Sequence, residues 1–140
     1  MAARPPAVRT LDTNIVIQAL NARPQSILER LSQFNPDTVV LSAVVVHELR
    51  YGADRSARPA ENHARLDRVL LDFRIISFDP DDAAAAARIR AGLATRGTPT
   101  GPFDVLIAGQ ALARDLILVT NNRREFDRVP GLWVEVWSTS

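Results

Sequence analysis

Two hydrophobic rhythms alternate along the chain. Short apolar runs of four or five residues occupy 8–11, 38–41, 75–78, 116–120 and 133–136, the length expected of strands. Between them, apolar residues recur at helical spacing through 14–20, 24–34, 43–53, 60–73, 81–96 and 103–114. The runs TVVL (38–41) and LILVT (116–120) are continuous rather than alternating, which is how a parallel strand covered on both faces reads. The order predicts an α/β sandwich. RGTPTGP at 96–102 is the clearest loop, dense in Gly and Pro. No internal repeat, low-complexity linker or second domain boundary is visible, so the chain reads as one domain over 1–140.

Composition narrows the chemistry. The length of 140 residues with 46% hydrophobic content suits one globular core. No apolar run approaches a membrane span, and the opening MAARPPAVR holds two prolines and no apolar signal core; the expectation is a cytoplasmic protein with no membrane partner. Cysteine is absent and only His47 and His63 supply imidazole, which removes disulfides, thiolate zinc sites and cysteine nucleophiles together. A bound metal would be held mainly by oxygen. The net charge is +1, and all 17 basic residues are arginine. Guanidinium suits phosphate, but the chain is equally rich in alanine, and both follow from genomic base composition. Arginine content therefore decides nothing.

In open parallel sheets, ligands bind beyond the carboxyl ends of the strands. Asp12, Thr13 and Asn14 follow the first strand, Ser42 and a helix bearing Glu48 follow the second, and Thr120, Asn121 and Asn122 follow the fourth. Each has a local alternative. Asp12 suits a helix N-cap; Asn122 and Glu125 have the spacing of a capping box; Asp104, after Pro102, suits the first turn of a helix. Glu48 is harder to place on a surface, since Val44, Val45, Leu49 and Gly52 surround it on its helix. Asp104 is followed at helical spacing by Ile107, Ala108 and Ala111, small enough for another element to approach closely. Burying unpaired carboxylates costs several kcal/mol or raises their pKa. Three inward carboxylates would repel one another unless a cation lay among them, and the economical candidate is Mg²⁺ or Mn²⁺.

The segments LDTN (11–14), SAVVVHELRYGA (42–53), GPFDVLIAGQALA (101–113) and LVTNNRREFDRVPGL (118–132) resemble, in order and spacing, the successive motifs of PIN-domain ribonucleases, specifically the VapC-type toxins of bacterial toxin–antitoxin systems. The resemblance spans nearly the whole chain. It implies a three-layer sandwich with a mostly parallel twisted sheet between helices. It also implies a Mg²⁺- or Mn²⁺-dependent endoribonuclease with Asp12, Glu48 and Asp104 as catalytic carboxylates. Asp12 and Asp104 would hold the metal, with Glu48 bound directly or through water; Thr13, Asn14, Thr120, Asn122 and Glu125 would line the site. A small cognate antitoxin, a structured RNA substrate such as tRNA, and a homodimer follow from the same resemblance.

Two departures qualify it. Many relatives carry a further Asp where this chain has Asn122, so a second tightly held metal is not implied; Glu125 or Asp127 would be the partial substitutes. The segment 1–7 precedes a strand that begins almost at the first residue in many relatives, and is read as an exposed tail. Two other functions remain open on the residues. A receiver-like phosphoacceptor also places acidic groups at strand ends around Mg²⁺, but requires a lysine that this chain lacks. A catalytically silent PIN-like module that only binds RNA or protein is favoured by Asn122 alone. Arg50, Arg55, Arg58, Arg123, Arg124 and Arg128 are candidates for phosphate contact; solvated helix faces explain them equally well.

Overall fold

The computed structural model describes residues 7–23 and 25–137. The expected tail, 1–7, lies outside this range apart from Ala7. The chain runs β1 (Arg9–Leu11), α1 (Thr13–Asn21), α2 (Gln25–Ser32), β2 (Val39–Ser42), α3 (Ala43–Arg55) and α4 (Pro59–Leu70). It continues through β3 (Arg74–Ile76), α5 (Pro80–Thr95), α6 (Pro102–Ala113), β4 (Ile117–Val119), α7 (Arg123–Phe126) and β5 (Trp133–Glu135). All five strands are parallel, in the order β3-β2-β1-β4-β5. This is the α/β sandwich expected from the apolar runs. β2 and β4 are buried along their whole length, which explains why they read as continuous rather than alternating.

β1 lies between β2 and β4, with Thr10 opposite both Val40 and Leu118. The chain leaves β1 for β2 and β3 on one side, then returns to add β4 and β5 on the other. The carboxyl ends of β1 and β4 therefore form the switch point at which doubly wound sheets bind ligands. Leu11, Leu41, Leu118 and Val119, all fully buried, form the middle of the core.

Two helix junctions hold the frame. α5 and α6 pack at glycine distance: a Cβ added at Gly109 would lie 2.6 Å from backbone and side-chain atoms of Ala86. The alanine run of α5 and the small residues of α6 permit this approach, at Gly109 rather than on the Ala108 and Ala111 face where the sequence placed it. At the N-terminus of α5, Asp79 and Asp82 form a reciprocal capping box. The buried Asp82 carboxylate also accepts hydrogen bonds from Gln110 Nε2 at 2.9 Å and from Arg114 Nε and Nη2, both at 3.1 Å. Burial pushes the Asp82 carboxyl up, but Arg114, the Asp79 backbone and Gln110 together hold it below the usual range. The sequence reading did not foresee this network.

β1, β3, β4 and β5 are shorter than their apolar runs, and β2 keeps its length but shifts by one residue. Thr38 belongs to a 3-10 turn over Pro36–Thr38, started by the Asn35 side chain accepting from Asp37 N. This Asn-Pro signal overrides the β-branched residue. Phe34, expected at the end of the second helix, lies beyond α2 and stacks on Trp137 with ring centroids 5.3 Å apart. α7 was absent from the expected helices, and it buries Phe126. The capping box proposed for it does not form. Asn122 makes no side-chain cap bond, and Glu125 instead accepts from Thr100 Oγ1 and from Gly101 N.

Candidate active site

Asp12 immediately follows β1 and is the N-cap of α1. Its Oδ1 accepts from Thr13 N at 2.8 Å, and its Oδ2 from Thr120 Oγ1 at 2.8 Å. The capping and site readings of this residue therefore hold together: a cap fixes the carboxylate, and a hydroxyl from β4's exit aims it. Thr120 in turn accepts from Asn122 N at 2.9 Å, which turns the chain after β4. On the other side, Thr13 Oγ1 donates to Glu48 Oε1 at 2.9 Å. The two threonines are buried and connect the carboxylates of β1 and α3 to the ends of two strands.

A cavity of about 640 Å³ opens at this edge, lined by Asp12, Thr13, Asn14, Glu48, Asp104 and Asn122 among others. Six of the eight residues expected at the site thus line one space. The other two stand behind it, Thr120 bonded to Asp12 and Glu125 held by the loop before α6. Asp104, in the first turn of α6, is half-buried and faces the same cavity. Among the described residues, no arginine lines it.

The electrostatics follow from that exclusion. Burial, then the charges of Asp12, Glu48 and Glu125, push the Asp104 carboxyl up to about 6. Burial raises Asp12 despite its bonds from Thr120 and Thr13. Burial also raises Glu48, with the Asp12 charge adding to it, against the Thr13 hydroxyl and His47. Glu125 moves the other way, held low chiefly by the Thr100 hydroxyl and then by the Gly101 amide and Arg128. Its negative charge persists beside Asp104 without entering the cavity. Asp127 pairs with Arg123 at 3.2 Å and is no substitute for the acid absent at position 122.

The carboxylates share a cavity without converging. Among the described residues, no three acidic or histidine side chains form a ready-made metal cage, as expected for like charges with no counter-charge between them. The donor set is nonetheless all oxygen and anionic, and a small hard cation that retains several waters needs only one or two direct carboxylates. The residues present fit such an ion.

The sequence reading missed the rest of the lining: Ile17, His47, Tyr51 and Phe103. Adjacency carried the signal. His47 precedes Glu48, Phe103 precedes Asp104, and Tyr51 lies three residues beyond Glu48 on the same helix. The proposed phosphate-contacting arginines are mostly engaged elsewhere: Arg50 with Asp67, Arg58 with Glu61, Arg123 with Asp127, and Arg128 with the Pro99 carbonyl.

Comparison with known proteins agrees with this geometry. The family model for the PIN domain matches residues 9–132. The "tRNA(fMet)-specific endonuclease VapC" of Shigella flexneri is 44% identical over 128 residues, covering 91% of this chain and 96% of that protein. Its namesake from Salmonella typhimurium is 40% identical over 127 residues with the same coverage. Among solved structures, DNA-bound VapBC from Salmonella typhimurium superposes with a TM-score of 0.89 at 38% identity, over 95% of this chain and 100% of that one. VapBC2 from Rickettsia felis, bound to a promoter DNA fragment, gives 0.84 at 36% identity, over 94% and 99%. The chain belongs to the PIN-domain family, among its VapC-type ribonucleases.

Proposed function

We propose that this protein is the toxin of a toxin–antitoxin pair and acts as a Mg²⁺- or Mn²⁺-dependent endoribonuclease, with tRNA as its substrate class. The observation that carries the reading is that Asp12, Glu48 and Asp104, from three separate parts of the chain, line one cavity at the sheet's switch point, with no arginine among its described lining residues. Asp12 and Asp104 would hold the cation, with Glu48 contributing directly or through water. When bound, the ion supplies charge neutralisation at the phosphodiester and lowers the pKa of water.

The chain's own groups position that chemistry. Thr120 and the Thr13 amide fix both oxygens of Asp12, and the Thr13 hydroxyl holds Glu48. Asn14 and Asn122 present neutral amides to the cavity, suited to phosphate or sugar oxygens without adding charge. The reaction is hydrolysis without a covalent protein intermediate: water adds at phosphorus and a ribose oxygen leaves, giving a 5′-phosphate and a 3′-hydroxyl.

The relatives' names support tRNA as substrate, and the VapBC assemblies support a small antitoxin partner. An antitoxin arginine directed at the carboxylates would supply the missing counter-charge and compete with the cation. A homodimer is the oligomeric state proposed, by family likeness. No helix among the described residues is long and apolar enough to cross a membrane, and the proposed RNA substrate supports a cytoplasmic location.

Purified protein incubated with small RNA should cut it in Mg²⁺ or Mn²⁺ and not in EDTA. Asp12→Ala, Glu48→Ala and Asp104→Ala should each reduce cleavage by about 100-fold or more. Two of these variants cutting as well as the parent in EDTA would refute the metal-nuclease reading. A folded parent that binds RNA but cuts none with either metal would instead be a silent binding module.

A further inference from the structure

The acidic cavity has an aromatic rim whose chemistry differs from that of its floor. On α3, His47 and Tyr51 lie four residues apart and so share one face. On α6, Phe103 immediately precedes Asp104. The His47 and Phe103 rings meet across the two helices with centroids 5.3 Å apart and planes inclined at 46°. Tyr51 is 60% exposed and Phe103 40% exposed, and both line the cavity. Of the three large aromatic side chains left exposed among the described residues, Tyr51, Phe103 and Trp133, two therefore stand at this one opening. Rings held in water at the mouth of a charged cleft contribute little to the core, which places their role in binding.

We infer that His47, Tyr51 and Phe103 form a stacking subsite for the base that flanks the phosphodiester to be cut. The inference rests on the nuclease reading of the neighbouring carboxylates and extends it to the nucleotide. Several observations favour a base over other occupants. Among the described residues the rim is aromatic with no arginine, so it offers π-faces rather than ion pairs to a nucleotide. The Tyr51 hydroxyl has no hydrogen-bond partner among the described residues, leaving the ring free to lie against a ligand. The rings and the carboxylates line one continuous cavity of about 640 Å³, within the ~300–1,000 Å³ range of small-molecule sites. A base in a duplex is already stacked on its neighbours and cannot present both faces to side chains. The subsite thus selects for nucleotides that are already splayed out.

The test uses the full chain with a short single-stranded RNA containing 2-aminopurine, in Ca²⁺, which neutralises the carboxylates while gels verify that the RNA stays intact. The parent should quench the fluorophore on binding. Tyr51→Ala and Phe103→Ala should each weaken binding by about 5- to 150-fold, the range for loss of one base–aromatic stack, whereas Tyr51→Phe should bind like the parent. An abasic residue at the quenched position should weaken the parent by a similar factor and leave the alanine variants little changed. The same sequence in a duplex should bind more weakly than the single strand. Thermal melts of each variant establish folding, which the exposure of both rings protects. If a parent that cuts RNA is matched in binding by both alanine variants, or binds duplex as well as single strand, the rings hold no base and face a protein partner instead. A folded parent that neither binds nor cuts RNA would overturn this inference and the nuclease reading together.

Discussion

Asp104 sits behind Pro102 in the first turn of α6, where a negative charge ordinarily stabilises a helix. Here its carboxyl is pushed up to about 6, first by burial and then by its acidic neighbours. The folded state therefore holds the proton more tightly than the unfolded chain, and stability without metal should fall as pH rises from about 4 to 6. Asp104→Asn removes that residue's share of the slope, and in EDTA at neutral pH its melting temperature should equal or exceed the parent's. Melts across pH 4–8 in EDTA check this; a parent curve no steeper than the variant's would return Asp104 to the role of an ordinary helix-end charge. Much of the site was legible at this scale because carboxylates stood out against apolar helix faces. Glu48 and Asp104 stood out from their helix neighbours, whereas Asp12, at a strand end, was explained equally well as a cap until the family resemblance joined the three. The aromatic rim was not named, because Tyr51, between Arg50 and Gly52, and Phe103, between Pro102 and Asp104, are single rings whose direction no hydrophobic period fixes. The fate of Glu125 was equally hidden, because its partners, Thr100 and Gly101, lie in a loop about 25 residues upstream whose path no periodicity encodes.

α5 and α6 form the tightest contact between elements, and Gly109 is its pivot. A methyl at position 109 would sit 2.6 Å from Ala86, too close for either helix to remain in place. Gly109→Ala raises helix propensity, yet it should destabilise the fold by about 1–3 kcal/mol through overpacking. It should also reduce cleavage more than stability alone explains, because α6 carries Asp104. Urea unfolding together with cleavage rates at a temperature where the variant is fully folded distinguishes the two effects; a neutral variant would mean that the helices can separate freely. Element type was legible from hydrophobic period, since each major helix and strand appears where its rhythm placed it. The ends were not. Strand 38–41 lost Thr38 to a turn specified by Asn35 and Pro36, and α7 is too short, at four residues, for helical periodicity to register.

For the molecule as a whole, the repulsion within the cavity and the ion proposed to relieve it are linked to folding. A cation that binds only the folded chain should stabilise it by roughly 2.7 kcal/mol at a hundredfold excess over its dissociation constant, or about 5–10 °C in melting temperature for a domain of this size. Millimolar Mn²⁺ should give that shift for the parent and much less for Asp104→Asn, reversing their order in EDTA; equal gains for both proteins would remove Asp104 from the ion's ligands. The five-stranded parallel order could be anticipated as a class, but not the insertion of β1 between β2 and β4, because pairing across such separations leaves no local trace. That insertion has a consequence for how the protein is made. Asp12 receives its orienting hydroxyl from Thr120, 108 residues later, and Asp104 is itself encoded in the last third of the chain. At a synthesis rate of ~5–20 residues per second, a nascent chain carries Asp12 for about 5–20 s before its partner exists. During that interval the ribosome holds a polypeptide with one corner of its proposed cutting centre and no means to use it, so the poison is armed only after Thr120 has left the ribosome.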